Sequence, residues 1–187
     1  RGELGVDRRY YSREAGKAFV PEAYRWLAGE LGRRLEGAQG RLPWWAYAEK
    51  PDLRLFRHHL PRRGGPDHVR LELRVDVHTA LRFPTWAWDA IYCGWYLAYT
   101  RKEWRSWRAE LIDAGLDPDE SSNFPAKISY RIRASWSRLF RPDLPVRAWG
   151  GAPYQRGAGR CVVFESLRLD QVVRVDRIRG VRPARGS

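Results

Sequence analysis

Residues 69–76 alternate between apolar and charged side chains without exception, and this pattern constrains the fold more than any other segment. The apolar positions are Val69, Leu71, Leu73 and Val75, and the charged positions are Arg70, Glu72, Arg74 and Asp76. A period of two predicts a β-strand, because successive side chains of a strand point to opposite faces of the sheet. We therefore expect one face of this strand to be buried and the other to face water.

Most of the other segments with a clear pattern are helical. The predicted helices cover residues 21–35, 87–99, 101–114 and 125–140. The remaining predicted strands cover residues 161–166 and 172–178, and residues 42–47 are predicted to be a short strand or extended segment. The order of helix, strand, helices and strands predicts an α+β fold with a mainly antiparallel sheet and several packed helices. We expect a single domain over residues 1–187, with an irregular N-terminal segment over 1–18 and a basic tail over 179–187.

The charge balance indicates a negatively charged partner. Lys and Arg number 35 against 22 Asp and Glu, which gives a net charge of +13, and only four of the cations are Lys. Arg binds phosphate with two parallel hydrogen bonds and stacks on bases, so RNA or DNA is one expected partner and an acidic protein is another. The alternative is a GC-rich genome, which explains the preference for Arg over Lys but not the excess over acidic residues.

Composition also disfavours several classes of protein and site. No run of 18 apolar residues is present, so we expect no transmembrane helix and no membrane partner. Cys93 and Cys161 lie in apolar contexts that suit the buried, reduced thiols of a cytoplasmic protein. Two cysteines do not make a Cys-rich zinc site and the histidines lack ligand spacing, so we expect no metal.

The predicted helix over residues 125–140 carries the clearest candidate surface. At 100° per residue, Lys127, Arg131 and Arg138 fall within about 40° of each other, and Arg133 extends the patch. One interpretation is a stripe that follows the phosphates of a nucleic acid, with these four residues as the binding residues. The other is the solvated basic face of an ordinary surface helix.

Ten Trp residues are several times the usual number for a chain of this length, and most are expected to pack in the core. The segment Trp44-Trp45-Ala46-Tyr47 is the preferred candidate for a surface that stacks on a base or a nucleotide ring. Adjacent residues of an extended segment point to opposite sides, so Trp44 and Trp45 cannot both be buried on one face.

Several segments, in order, resemble a bacterial family known as domain of unknown function 3841, which is named around a Tyr-Asp-Trp motif. The matching segments are residues 23–27, 42–47, 50–54, 69–75, 88–97, 135–140 and 163–175. Arg25 stands in place of the Asp of the motif, and Trp88-Asp89 stands where the family favours a Trp-His pair. The family has no settled activity, so this resemblance implies membership and no particular chemistry.

A weaker similarity concerns the C-terminal strand pair over residues 162–175, which looks like the last strands of ADP-ribosyltransferase folds. This similarity implies a toxin-type enzyme that uses NAD and acts on nucleic acid or protein. Glu165 would then be the catalytic carboxylate that stabilises the oxocarbenium ion, and Trp44, Trp45 and Tyr47 would bind the cofactor. The alternative for Glu165 is a place on the solvated side of a strand.

The competing function is a non-catalytic domain that binds nucleic acid or another polyanion. The two functions differ in one structural respect. An enzyme of this type needs aromatic side chains around a closed pocket with a carboxylate, whereas a binding domain needs an open groove.

Overall fold

A computed structural model describes residues 3–4, 22–50, 68–119, 124–145 and 159–178. The predicted basic tail over 179–187, and the predicted irregular segment over 1–18 apart from residues 3–4, lie outside these described ranges. Within them the chain forms one α+β domain of helices packed on small antiparallel sheets. The predicted fold class is therefore confirmed.

The described residues contain four α-helices. They are α1 (Glu22–Arg34), α2 (Thr85–Tyr92), α3 (Arg101–Asp113) and α4 (Ala126–Trp136), and a 3-10 turn (Ser137–Phe140) follows the last one. The helix predicted over residues 87–99 is wrong in its second half. The chain leaves the helix after Tyr92 and passes Gly94 at a φ of 74°, which side chains with a Cβ rarely adopt. Leu97 is buried beyond that turn. The apolar run over residues 87–99 therefore forms a helix in its first half and a buried irregular segment in its second, and without a clear period the sequence does not separate the two.

The described strands form three antiparallel sheets rather than one. The strands are β1 (Glu3–Leu4), β2 (Trp44–Tyr47), β3 (His68–Leu73), β4 (Leu81–Pro84), β5 (Arg160–Phe164), β6 (Leu167–Arg168) and β7 (Val172–Ile178). The largest sheet has the order β2-β5-β4, and the pairs β1-β6 and β3-β7 form the other two. The strands predicted over 42–47, 161–166 and 172–178 are thus present, the first two with shorter bounds.

The core lies between the helices and one face of the three-stranded sheet. Tyr47, Cys161 and Phe83 stand in one row across β2, β5 and β4, so their side chains share a face. Trp45 lies two residues before Tyr47 and opposite Val163, which places it on that same face. The buried residues Leu27, Leu31 and Leu35 of the α1 segment belong to the same hydrophobic cluster, at the spacing expected for one helix face.

The expectation that the apolar face of residues 69–76 is buried is wrong for Val69 and Leu71, whereas Leu73 and Val75 are partly buried. Val69 is 58% exposed and Leu71 is 39% exposed, and Val175, the partner of Leu71 on β7, is 56% exposed. The strand itself is present, and an ion pair of 2.5 Å between Arg70 and Asp176 links it to β7. Alternation predicts a strand because it follows the backbone pleat, but it does not say that another element covers the apolar face.

Candidate functional site

Glu165 lies at the end of β5 and holds a distant loop in place. Its two carboxylate oxygens accept hydrogen bonds from the backbone N–H groups of Gln39, at 2.7 Å, and Arg41, at 2.6 Å. The side chain lines an open groove of about 640 Å³. The other lining residues are Leu35, Glu36, Gly37, Ala38, Gln39, Arg41, Arg74, Val75, Asp76, Thr79, Ser166, Arg168, Asp170 and Gln171. Among the described residues, no aromatic side chain lines this groove.

The aromatic residues predicted to bind a cofactor lie elsewhere. The ring centroid of Trp45 lies 4.7 Å from that of Trp88 and 6.0 Å from that of Phe83, so Trp45 packs into the core. Trp44 pairs with Phe164 and points to the other face of the sheet. Glu165 and these rings therefore do not line one pocket.

A different carboxylate lies beside Tyr47. Asp89 is on α2, four residues after Thr85 and four before Cys93, so these side chains share one side of the helix. Burial raises the pKa of Tyr47 and of Cys93, and the negative charge of Asp89 raises both further. Burial likewise raises the pKa of Cys161 to about 12, with a smaller contribution from Asp89. The four titratable groups thus occupy one neighbourhood at the start of β5, at the opposite end of the strand from Glu165, and we call it the Asp89 site.

Asp89 is a half-buried carboxyl group without a compensating partner among the described residues. Burial raises its pKa from 3.8 to about 6. In the part of the chain that the structure describes, no side-chain donor or cation bonds to its carboxylate. A desolvated carboxylate normally acquires such a partner, since an isolated charge is costly to bury. Perturbed and unpaired acids of this kind are concentrated at functional sites.

A cluster of aromatic rings includes two residues of α2, the helix that carries Asp89. Tyr24 lies 5.2 Å from Trp88 and 5.9 Å from Tyr92, measured between ring centroids, and it also contacts Trp45. Tyr47 and Tyr92 are each about half exposed, so the cluster reaches the surface. The indole N–H of Trp45 is buried and has no acceptor among the described residues. The site therefore combines aromatic faces, one carboxylate and one orphan donor.

Sequence reasoning missed Asp89, although a signal was present. Asp89 is the one charged residue between Trp86 and Tyr99, the most apolar stretch of the chain. A lone carboxylate in such a stretch either faces solvent or is held in a special environment, and the sequence does not distinguish the two.

Sequence similarity places this chain in a known protein family. The sequence profile of the family described as "Domain of unknown function (DUF3841)" matches residues 1–151. The chain belongs to the DUF3841 family. No curated protein and no solved structure matches it. In this DUF3841 domain, Asp89 and Tyr47 lie inside the matched range, whereas Glu165 lies beyond it.

The four basic residues predicted to bind nucleic acid are largely engaged within the DUF3841 domain. Arg131 forms an ion pair with Glu110 of α3, and its guanidinium lies 4.7 Å from the ring centroid of Trp107. Arg133 pairs with Glu22 at 3.2 Å. Lys127, by contrast, is exposed.

Arg138 makes the most extensive contacts of this set. It bonds to the Glu103 carboxylate at 2.5 Å and to the Leu97 carbonyl at 3.1 Å. Burial alone would raise the pKa of Glu103, but hydrogen bonds from Tyr96, the Tyr99 N–H and Arg138 hold it below its ordinary value. Together with the Arg131–Glu110 pair, these contacts join α4 to α3.

No helix in the described ranges has both the length and the apolar character needed to cross a bilayer. Within those same ranges, no three His, Cys, Asp or Glu side chains converge as metal ligands.

Proposed function

We propose that this DUF3841 domain is an ADP-ribosyltransferase-like enzyme whose substrate carries a planar, positively charged ring, and that NAD is that substrate. The nicotinamide ring would lie at the Asp89 site. The observation that supports this proposal is the half-buried Asp89 carboxylate, which has no partner among the described residues, lies beside Tyr47 and shares α2 with Trp88 and Tyr92. Asp89 then takes the role that the sequence suggested for Glu165, whose two oxygens are engaged by backbone N–H groups.

The chemistry of the site favours a cationic ring over a neutral one. The faces of Trp and Tyr rings carry negative charge density and attract cations. A desolvated carboxylate gains most from a permanent positive charge, which would lower the pKa of Asp89 towards its ordinary value. The exposed parts of Tyr47 and Tyr92 give the ring a path of entry.

The same groups suit cleavage of the bond between ribose C1′ and the ring nitrogen. As that bond breaks, its electron pair stays on the nitrogen, and neutral nicotinamide leaves. Positive charge develops on the ribose, and the fixed Asp89 carboxylate stabilises it electrostatically. An acceptor nucleophile then bonds to C1′ and loses its proton. The neighbouring aromatic side chains orient the ring for departure and limit the access of water.

The first experiment compares 1-methylnicotinamide, a cation, with neutral nicotinamide by calorimetry. We expect the cation to bind at least ten times more tightly at pH 8, and its advantage to fall below pH 6 as Asp89 becomes protonated. Asp89→Asn should abolish the preference for the cation. Asp113→Asn, which changes an exposed carboxylate at the end of α3, is the matched control and should leave it intact.

The second experiment measures release of nicotinamide from NAD by chromatography. We expect turnover by the unaltered chain, and loss of turnover in Asp89→Asn. Equal affinity for the charged and neutral rings, or an Asp89→Asn variant with unchanged binding, would refute the proposal.

A further inference from the structure

The first half of α3 presents a basic surface that the sequence pattern did not single out. Arg101, Lys102 and Arg105 are exposed, and none has an ion pair or side-chain hydrogen bond among the described residues. Arg101 and Arg105 are one helical turn apart, so they share a side of the helix, and Lys102 lies next to them. We call these three residues the α3 basic surface.

The acidic residue closest in sequence does not neutralise this surface. Glu103 accepts hydrogen bonds from Arg138, the Tyr96 hydroxyl and the Tyr99 N–H, and it is turned towards α4. The positions of α3 and α4 explain this division. Glu103 pairs with Arg138, and Glu110 pairs with Arg131. These two acidic residues therefore face the helix interface, and the α3 basic surface faces solvent.

More cations and two aromatic rings border the α3 basic surface. Arg141 lies 4.8 Å from the ring centroid of Tyr99, just before α3, and its ion pair with Asp143 is long, at 3.3 Å. Arg108 lies 5.5 Å from the ring of Trp104, but its guanidinium is held by two hydrogen bonds to Asp119, at 2.5 and 3.0 Å. Long ion pairs on the surface, such as that of Arg141, contribute little and exchange readily for other partners. The border therefore supplies one exchangeable guanidinium, that of Arg141, and the half-buried rings of Tyr99 and Trp104.

We propose that the α3 basic surface binds the phosphate backbone of a single-stranded nucleic acid. Cations interleaved with aromatic side chains are the arrangement by which proteins hold single strands, with charge on the backbone and rings beside the bases. Arg101 and Arg105 are separated by about 6 Å along the helix axis, so both can contact the backbone of one strand. An acidic peptide has the negative charge to bind these cations but lacks bases that could stack on the neighbouring aromatic rings.

The biological role of this surface rests on the proposed function, but its binding of nucleic acid does not. A nucleic acid held at α3 would be the acceptor of the transferred group. Binding itself requires neither NAD nor Asp89, so the two proposals can fail separately.

The test measures binding of a 12-nucleotide single-stranded RNA and the equivalent DNA by fluorescence anisotropy from 50 to 300 mM salt. The test variant is R101Q/K102Q/R105Q. The matched control is K50Q/R74Q/R177Q, which removes three other exposed cations that have no ion pair among the described residues. Both variants lose the same net charge, and thermal unfolding checks that both remain folded.

We expect the test variant to bind at least tenfold more weakly and the control to stay within threefold of the unaltered chain. Because each phosphate contact with a single strand contributes about 0.7 to the slope of log K against log salt, loss of three contacts should make that slope shallower by about 2. Asp89→Asn should bind the oligonucleotides as the unaltered chain does.

Three outcomes would overturn the inference. They are no binding at 50 mM salt, equal weakening in the two triple variants, and equal affinity for a polyglutamate of the same charge. The second outcome would mean that net charge alone attracts the strand. The third would indicate an acidic protein as the partner instead.

Discussion

Glu165 accepts a hydrogen bond of 2.6 Å from the backbone N–H of Arg41, although 124 residues separate them in the chain. Its second oxygen accepts from Gln39 in the same way. The loop so held contains Gly37 and Gly40 at φ values of 72° and 70°, where residues with a Cβ are strained. The carboxylate therefore secures a turn that the local sequence makes available but does not by itself fix.

The first prediction follows from this contact. Glu165→Gln should lower the free energy of unfolding by about 1–2 kcal/mol, because an amide keeps only one oxygen for two N–H donors. Urea denaturation measures the loss. Glu36→Gln, on the same groove but without a partner among the described residues, should be neutral. If Glu165 were instead the catalytic carboxylate, Glu165→Gln would abolish NAD turnover at unchanged stability.

Local sequence patterns predicted the helices and strands of this fold better than they predicted which of their faces are buried. The spacing of Leu27, Leu31 and Leu35 predicts a helix and its buried side together, because the core covers that side. The alternation over residues 69–76 predicts a strand equally well. It does not reveal that β3 pairs with β7 alone, in a two-stranded sheet whose apolar face is left partly open. That outcome depends on which distant segments meet, and such information is not contained in a period of two.

The second prediction tests the open face of β3. Val69→Asp should change the free energy of unfolding by less than about 1 kcal/mol, because Val69 is exposed and stands opposite Arg177 on β7. Val163→Asp, the same substitution on the fully buried side of β5, should prevent folding, because it buries an unpaired charge. Circular dichroism with thermal unfolding compares the two variants. Unfolding of Val69→Asp would mean that the apolar face is covered after all.

The third prediction concerns the contact between α3 and α4. Arg138→Ala should cost about 2–4 kcal/mol, because it leaves the Glu103 carboxylate and the Leu97 carbonyl with fewer donors in a half-buried place. The pKa of Glu103 is lowered in the folded chain, so its contribution to stability is present above pH 4.5 and is lost as the pH falls through the folded value. Denaturation at pH 7 and pH 3 should show this loss in the unaltered chain and a smaller one in the variant.

Lys127→Ala is the control for that experiment. Lys127 lies in the first turn of α4, the helix that precedes Arg138, and is exposed, so its substitution should change stability by less than about 0.5 kcal/mol. Equal effects of the two substitutions would show that Arg138 belongs to a solvated basic face, as one interpretation of the sequence proposed.

The candidate site was only partly predictable for a related reason. Trp45 and Tyr47 were identified because unusual residues stand next to each other, and the structure places both on the face towards Asp89. Asp89 itself was overlooked, because its significance comes from burial beside β5 and from the absence of a partner in the described residues. Similarly, Arg131 lies on α4 and Arg138 in the 3-10 turn that follows it, and the carboxylates that meet both residues come from α3. Helix geometry alone places charges on a side and does not say what that side contacts.

The last prediction uses Asp89 to separate a functional carboxylate from a structural one. Burial raises the pKa of Asp89 to about 6 in the folded chain, from an ordinary value of 3.8 that applies to the unfolded chain. The folded state therefore holds the proton more tightly than the unfolded state does. The stability that this proton supplies is fully present below pH 3.8 and is lost as the pH rises through 6. Above that pH the buried charge is a cost, so Asp89→Asn should stabilise the chain at pH 8 by about 1–3 kcal/mol, the lower end reflecting residual contact with water. Urea denaturation at pH 5 and pH 8 should show the full gain at pH 8 and about half of it at pH 5, with Asp113→Asn flat at both. If Asp89 instead has a structural role, Asp89→Asn should destabilise the chain at pH 8. That result would contradict the proposal that the Asp89 site is an active site.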